Sequence, residues 1–385
     1  MKSHFLAILA ATTPLHAGLI PLAEHLDIRW RWESVGGWTC KAVTDGNGEA
    51  NYETQDVFLP LSDKPNVNGN PAISGARFTQ PASAAFAFTG VPAGGPLWIA
   101  VQGTPGIGEA WPGLENNQQA GTFGNYIPSD LRVSQTSARP WIKISLDGYT
   151  PPLGVPSNFS LWTTSGSVPK VWMSTHAAST VNDYYFAEGS HNHMNWGFSA
   201  VGIHRVRLKA SAFAGPDLTN PTGSSSVHTL TFAIGPLAQW QATHFSGTEL
   251  DDLAISGPDA DPDHDGMSNL VEFAFGLDPR NGAATAVATG LGLPKMSVIE
   301  ESGTIYQVLA YPARRAGSQT APLRYLPQFS SDLSWQSADI ITTTDDFPSE
   351  LGTLNGVWER LTSRRPVGPS TPARGFGRIG VVLDD

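Results

Sequence analysis

Apolar and polar residues alternate in short runs through the first 235 positions of the chain. In the clearest run, IHRVRLKASAFA (203–214), Arg or Lys separates apolar residues and His204. A period of two with charge on one face predicts a strand with one buried side, and it places His204 in the core beside Val206 and Leu208. Comparable runs bounded by glycine or proline are AFAFTGVP (85–92), PLWIAVQG (96–103), WIKISLDGYTPP (141–152), FSLWTTSG (159–166) and VHTLTFAIG (227–235).

The pattern changes at Pro236. LAQWQATHF and TELDDLAI have the character of short helices, and we assign residues 236–285 to a helical linker that also carries an acidic loop. Strand-like runs return in TIYQVLAYP (304–312), LRYLPQFS (323–330) and FGRIGVVL (376–383). We therefore predict a mainly β fold with three parts. These are an N-terminal antiparallel β-sandwich over 18–235, the short helical linker with its loop, and a small C-terminal β-domain over 286–385.

Residues 1–17 have the layout of a secretory signal peptide. Lys2 precedes an apolar run over 5–11, and the small residue Ala17 provides a cleavage point. A buried N-terminal helix is the alternative, which Pro14 and the short run do not favour. No later stretch is long and apolar enough to cross a bilayer. We therefore expect export to the extracellular space or the cell surface, with the periplasm as the alternative, and no transmembrane segment after signal removal.

Composition narrows the fold and the partners. The 40 glycines and 30 prolines, with only 15% charged residues, are typical of a β-sandwich with many turns. The formal net charge of −11 argues against nucleic acid as a partner and is compatible with divalent cations. Since Cys40 is the single cysteine, no internal disulfide framework can form, and burial must supply the stability.

The acidic loop of the linker has the spacing of a calcium site. Asp261, Asp263 and Asp265 precede Gly266, and Glu272 follows after five residues, which matches D-x-D-x-D-G-x5-E. Side chains at positions 1, 3 and 5 of such a loop converge, and the bidentate carboxylate at position 12 closes the coordination sphere. The alternative is an acidic loop that is merely solvated.

The same loop departs from a paired EF-hand. Position 8 is Ser268, and Pro258 and Pro262 discourage a continuous entering helix. The loop therefore resembles the solitary calcium loops of dockerin or thrombospondin type 3 repeats, with Met267 offering its backbone carbonyl. We expect structural calcium, bound at roughly 10⁻⁴–10⁻³ M, that rigidifies the junction between the β-domains.

SHNHMNWGF (190–198) contains two histidines at alternate positions. On an extended segment His191 and His193 project to the same face, a common half-site for zinc or copper. The alternative is that both histidines only form hydrogen bonds to a loop, with Asn195 and Trp196 as structural anchors. His176 is a further candidate ligand elsewhere in the chain.

DYYFAEGSHNHMNWGFSAVGIHRVRLKASA (183–212) resembles the signature of the choice-of-anchor M domain of bacterial surface-anchored proteins. That family has a G-x-H-x-H-x-N-W-x-F stretch, and it opens with an H-x-D strand matched here by His25 and Asp27. The resemblance implies a surface-displayed β-sandwich in which metal handling is a plausible theme, since actinobacterial relatives occur alongside metal-uptake transporters. The acidic loop and the C-terminal region (WQATHFSG…SNLVEFAFGLDP, then RYLPQFSSDLSWQ) resemble the C-terminal architecture of exported Verrucomicrobia-type proteins.

The resemblance extends the candidate metal site. With the histidine pair of 190–198, His25 would supply a third nitrogen, and Asp27 an oxygen ligand or a hydrogen-bond acceptor that orients an imidazole. The sequence departs from the family at its end, GVVLDD, which has no apolar tail, sorting motif or basic stop. We therefore expect release or non-covalent retention at the surface.

Motifs for common catalytic chemistries are absent. The sequence has no G-x-S-x-G elbow, H-E-x-x-H helix or P-loop. We therefore predict a non-enzymatic, exported binding protein with a structural calcium and a transition metal, whose partner is a cell-envelope component or a polysaccharide. The alternative is an extracellular carbohydrate-active enzyme or glycan-binding module. Trp111, in GEAWPGLENN, is then the best candidate for an exposed sugar contact.

Overall fold

The computed structural model describes a defined part of the chain. It covers residues 18–45, 48–67, 70–177, 179, 181–213, 221–282, 286–288, 290–315, 323–330, 335, 340–345, 357–367 and 375–383. The predicted signal peptide at 1–17 lies outside the described residues. No helix in these ranges is long and apolar enough to cross a lipid bilayer.

Strands dominate the described residues, which confirms the prediction of a mainly β fold. In chain order they are β1 (Ile20–Pro21), β2 (His25–Glu33), β3 (Gly37–Thr44), β4 (Ala50–Glu53), β5 (Val57–Leu61), β6 (Arg77–Thr79), β7 (Pro96–Ala100), β8 (Trp111–Glu115), β9 (Trp141–Thr150), β10 (Phe159–Ser165), β11 (Val168–Ser174), β12 (Asp183–Ala187), β13 (His191–His193), β14 (Asn195–Phe198), β15 (Gly202–Phe213), β16 (Pro221–Ser224), β17 (His228–Ile234), β18 (Lys295–Glu301), β19 (Thr304–Arg314), β20 (Leu323–Ser330), β21 (Ile341–Asp345), β22 (Trp358–Val367) and β23 (Phe376–Leu383).

Three sheets enclose the core of the N-terminal domain. The first has the order β1-β5-β17-β15-β9-β12, with β16 also paired to β15. The second is β11-β10-β14-β7-β6, and the third is β13-β8-β2-β3-β4. Side chains from all three meet in one apolar cluster, in which Trp30, Phe159 and Phe232 are fully buried. Strand β15 alternates buried and partly exposed residues, as its period of two predicts.

Two details of the predicted sandwich are wrong. Three strand pairs are parallel (β1 with β5, β5 with β17 and β2 with β8), so the first and third sheets are mixed rather than purely antiparallel. The run at 85–92 is not a strand, because Ala84–Thr89 forms a 3₁₀ helix. Ser83 accepts a hydrogen bond from the amide of Ala85 at its start, and Gly90 ends it with φ of 73°.

The helical segment packs on the first sheet. It contains α1 (Pro236–His244), a 3₁₀ turn, α2 (Leu253–Ser256) and α3 (Asn269–Phe275). Trp240 and Phe273 lie in a second apolar cluster with Phe58 of β5 and Ala233 of β17. The segment predicted as a linker is therefore docked on the N-terminal domain over much of its length.

Helix α3 also contacts the C-terminal strands. These strands form the sheets β18-β19-β22-β21 and β20-β23. Phe275 packs with Tyr311 and Phe329 in a third cluster, whereas Phe273, two residues earlier, faces the second cluster. The guanidinium of Arg314 lies 3.7 Å from the ring centre of Phe273 and 4.4 Å from that of Trp358. One short helix thus joins both β regions.

We expect Phe273→Ala to lower the free energy of unfolding by about 3–5 kcal/mol, because it leaves a cavity in the second cluster and removes the cation–π contact between Phe273 and Arg314. Urea-induced unfolding followed by circular dichroism measures the change. The matched control is Phe376→Ala, whose side chain is 51% exposed and should change stability by less than about 0.5 kcal/mol. Equal losses in both variants would contradict this role of α3.

Candidate metal centres

Three neighbouring strands of the third sheet bring four predicted ligands to one face. Strand β8 lies between β2 and β13. Parallel pairing sets Asp27 of β2 opposite Gly113 of β8, and antiparallel pairing sets His193 of β13 opposite the same glycine. His25 and His191 lie two residues away on their strands and therefore share this face. The side chains from 25–27 and 191–193 converge although 164 or more positions separate them in the chain.

Gly113 provides the floor of this cluster. A Cβ atom at this position would lie 2.5 Å from Oδ1 of Asp27 and 2.9 Å from Nε2 of His191. Both distances are shorter than any normal contact, so a side chain on the central strand would displace the two groups. The four side chains can meet because the strand between them carries a residue without a side chain.

The atoms that could bind a metal lie close to one another. Nε2 of His25 lies 3.0 Å from Nε2 of His193, and Nε2 of His191 lies 2.8 Å from Oδ1 of Asp27. That carboxylate oxygen is buried and accepts no hydrogen bond despite the short distance. Each of the four residues offers one potential metal-ligand atom, and these four atoms all lie within 4.8 Å of one another. Ligands around tetrahedral zinc lie about 3.3 Å apart, from Zn–N bonds of about 2.0–2.1 Å.

Burial shifts the pKa of two residues of this cluster, His193 and Asp27. Partial burial and the two neighbouring imidazoles lower the pKa of His193 to about 4. His193 is therefore neutral at pH 7, the form that binds a metal. Burial raises the pKa of Asp27, and the adjacent His191 and His25 oppose that rise. A cation at the point of convergence would stabilise the ionised carboxylate in place of protons.

Asp45 and Trp111 hold two of the imidazoles in place. Nδ1 of His25 lies 3.0 Å from Oδ1 of Asp45, and because a carboxylate only accepts, this nitrogen carries the proton and leaves Nε2 free to bind. The ring of Trp111 stacks on His193 with centroids 4.4 Å apart. Trp111, the best candidate for an exposed sugar contact under the alternative function, is half-buried at the start of β8 rather than exposed in a loop.

The remaining residues of the histidine motif are structural. Asn195 accepts a hydrogen bond from the amide of Gln102, at 2.9 Å. Trp196 is fully buried and donates from Nε1 to the carbonyl of Pro112 at 3.3 Å, which ties β14 to the residue before Gly113. His176 is not one of the four clustered residues.

His204 lies in the core, as its position in the alternating strand predicts. One ring nitrogen is 2.7 Å from the hydroxyl of Tyr149, and the other is 3.0 Å from the carbonyl of Ala200. Burial lowers the pKa of His204 to about 3. This histidine is therefore a neutral core residue with both nitrogens engaged.

The acidic loop brings its first three carboxylates together. One oxygen each of Asp261, Asp263 and Asp265 lies within 4.8 Å of the others. Amides of the loop itself close the turn, since Gly266 donates to Asp261 at 3.0 Å and Met267 donates to Asp265 at 2.9 Å. The positive φ of Gly266, 89°, is the left-handed conformation that glycine tolerates best.

Glu272 of α3 supplies a buried carboxylate beside this loop. Its side chain is 0% exposed, and neither oxygen has a hydrogen-bond partner. Burial, followed by the charges of the three loop aspartates, raises its pKa to about 8. A buried carboxylate without a partner is costly unless a cation or a proton neutralises it. The residues present therefore fit the calcium site that their spacing predicts.

Sequence reasoning did not identify Gly113 or Asp45. Gly113 belongs to the stretch GEAWPGLENN around Trp111, whose glycines and proline indicated a loop. Asp45 is 20 positions from His25 and reaches it through the β2–β3 hairpin. No local signal marks either residue, because both roles arise from strand pairing.

Comparisons with known proteins do not assign the chain. No family model matches it, and no curated protein matches it. Among solved structures, one match is a chaperone–tip adhesion subunit pre-assembly complex from archaic chaperone-usher Csu pili of Acinetobacter baumannii. That match has 8% identity, covers 63% of this chain and 85% of the other, and has a TM-score of 0.13. So low a score carries no functional argument.

We expect chelator-treated protein to lose stability as the pH rises from about 4.5 to about 8. Over this window folded Glu272 retains a proton that the unfolded side chain releases, so the folded state binds more protons. Calcium would replace the proton and remove this dependence. Thermal unfolding at pH 6 and pH 8, with chelator or excess calcium, tests it.

Glu272→Gln is the control for this experiment, because it keeps the shape of the side chain but cannot ionise. The chelated variant should show no such fall between pH 6 and pH 8, and calcium should stabilise it less than the wild type. Identical unfolding and identical protease resistance of 236–285 with and without calcium in the wild type would contradict a structural calcium.

We expect Gly113→Ala to weaken zinc retention at least tenfold, the scale on which disturbed metal-site support acts (about 10–100-fold). The new methyl group would collide with Asp27 and His191. Competition with a chromophoric chelator measures the affinity. Gly103→Ala is the control, since a Cβ there meets nothing within 4 Å. Unchanged affinity in Gly113→Ala would mean that these side chains do not share an ion.

Proposed function

We propose that this chain is an exported, non-enzymatic binding protein that holds one divalent transition-metal ion, zinc or copper. The ligands are Nε2 of His25, His191 and His193 and a carboxylate oxygen of Asp27. The observation that carries the proposal is the convergence of these four donors over Gly113, where a Cβ would occupy their space.

The donor set favours retention of an ion over catalysis on it. Three imidazoles and one carboxylate complete a tetrahedral zinc shell, whereas catalytic zinc usually keeps one position for water or substrate. His191 is 42% exposed at the side chain and Asp27 only 14%, so the ion would enter from the His191 side. A site of this kind suits capture and release of a metal at a surface.

Calcium has a separate, structural role in this proposal. Asp261, Asp263, Asp265 and Glu272, with the carbonyl of Met267, would hold it next to α3. Since α3 packs against both β regions, the ion would stiffen their junction. The resemblance to choice-of-anchor M proteins supports display at a cell surface, where a cell-envelope component or a polysaccharide would be the partner.

The rival function, a glycan-binding module or carbohydrate-active enzyme, receives less support from the tryptophans. Eight of the twelve are buried, and none of the others is classed as exposed. Trp111, its best candidate, stacks on a proposed metal ligand. A flat aromatic platform for sugars would need an open ring face.

We expect protein purified without chelator to contain about one zinc or copper per chain, because four protein donors form a complete site. Replacing two ligands, by His191→Ala with His193→Ala, should reduce the metal to background. Inductively coupled plasma mass spectrometry measures the content.

The matched control for this measurement is His176→Ala, which removes a histidine outside the cluster and should leave the metal content unchanged. Absence of transition metal from the wild type, even after incubation with zinc or copper, would refute the proposal. A polysaccharide pull-down by that metal-free protein would then favour the glycan-binding rival.

A further inference from the structure

A cavity of about 850 Å³ opens where the first sheet meets the helical segment. Its walls come from the end of β9 and the loop that follows it (150–155), strands β6 and β7, the start of β15, helices α1 and α2, and Leu383 at the end of β23. The volume lies within the range of roughly 300–1,000 Å³ that holds small-molecule ligands. The cavity shares no residue with either candidate metal centre.

The charged side chains in the lining neutralise one another. Arg205 donates to Asp251 at 2.8 Å, and Arg77 lies 3.5 Å from Asp63. Asp63 also accepts a hydrogen bond from the indole of Trp98, at 2.8 Å. Two cations and two anions therefore form two internal pairs, which leaves no unbalanced charge for an ionic ligand.

The uncharged polar side chains of the lining are also engaged. Gln241 donates to the carbonyl of Ser256 at 2.6 Å, and the hydroxyl of Ser256 donates to the carbonyl of Asp252 at 3.2 Å. Thr150 accepts from Arg207 at 2.7 Å. Since these groups already have partners within the protein, the lining offers a ligand mainly apolar surface.

Large apolar side chains of the lining remain in contact with water. Leu153, Val155, Val201 and Leu253 are 42%, 43%, 43% and 51% exposed. Removing apolar surface from water contributes about 25 cal/mol per Å², so exposed apolar side chains grouped around one cavity favour a ligand that covers them. Isolated exposed apolar residues would need no such explanation.

We propose that this cavity binds a neutral, largely apolar small molecule. Apolar contact supplies the affinity, and the internal pairing of the lining charges disfavours ligands with a net charge, whose desolvation nothing would offset. This binding is independent of the metal centre.

The test uses the full chain and the neutral fluorophore N-phenyl-1-naphthylamine. Fluorescence should rise and saturate at one probe per chain. Val201→Trp, which narrows the cavity, and Leu253→Glu, which adds a charge to its lining, should each weaken binding about tenfold or more. Leu253 opens α2 and is 51% exposed, so a glutamate there is compatible with the fold.

Matched controls carry the same substitutions on a distant surface. Val168→Trp and Val168→Glu alter a residue that is 68% exposed on β11 and should bind the probe like the wild type. The anionic analogue 8-anilinonaphthalene-1-sulfonate should bind about tenfold more weakly than the neutral probe. Absence of saturable binding, equal losses in the Val168 controls, or tighter binding of the anionic analogue would each overturn the proposal.

Discussion

The candidate transition-metal centre depends on the hydrogen-bond register of three adjacent strands. Strand β8 pairs with β2 on one side and with β13 on the other, and Gly113 is the residue at which Asp27 and His193 come opposite each other. The other face of these strands carries Leu26 and Leu114, both fully buried. A shift of the strand register by one residue would point the ligands into the core and expose these leucines to water. Packing of the core therefore fixes the arrangement of the ligands on the opposite face of the sheet.

Each candidate metal centre includes a carboxylate with at least one buried oxygen. Oδ1 of Asp27 and both oxygens of Glu272 are buried without hydrogen bonds. Removing an ionised carboxylate from water costs free energy. At Asp27 the neighbouring His191 and His25 oppose the resulting rise in pKa, whereas neither oxygen of Glu272 has a hydrogen-bond partner. Glu272 belongs to α3, whose Phe273 packs in the second cluster and whose Phe275 packs in the third. Glu272 thus lies on the helix whose side chains contact both β regions.

The proposed functions occupy separate parts of the molecule. The histidine cluster lies on the outer face of the third sheet, the acidic loop lies beside α3, and the apolar cavity lies between the first sheet and the helical segment. Each would draw on a different interaction: coordination by imidazoles and a carboxylate, neutralisation of clustered carboxylates, and burial of apolar surface.

Local pattern alone predicted the longer strands, such as β9, β15 and β17, the core position of His204 and the candidate ligands of the acidic loop. These properties depend on neighbours within a few residues, where side-chain period and loop geometry decide the outcome. The 3₁₀ helix at Ala84–Thr89 escaped this reasoning because short apolar runs fit several conformations. The parallel pairing of β2 with β8, the floor at Gly113 and the contact of Asp45 with His25 were decided by the tertiary structure. They join residues distant in sequence, and only packing of the whole core selects which strands become neighbours.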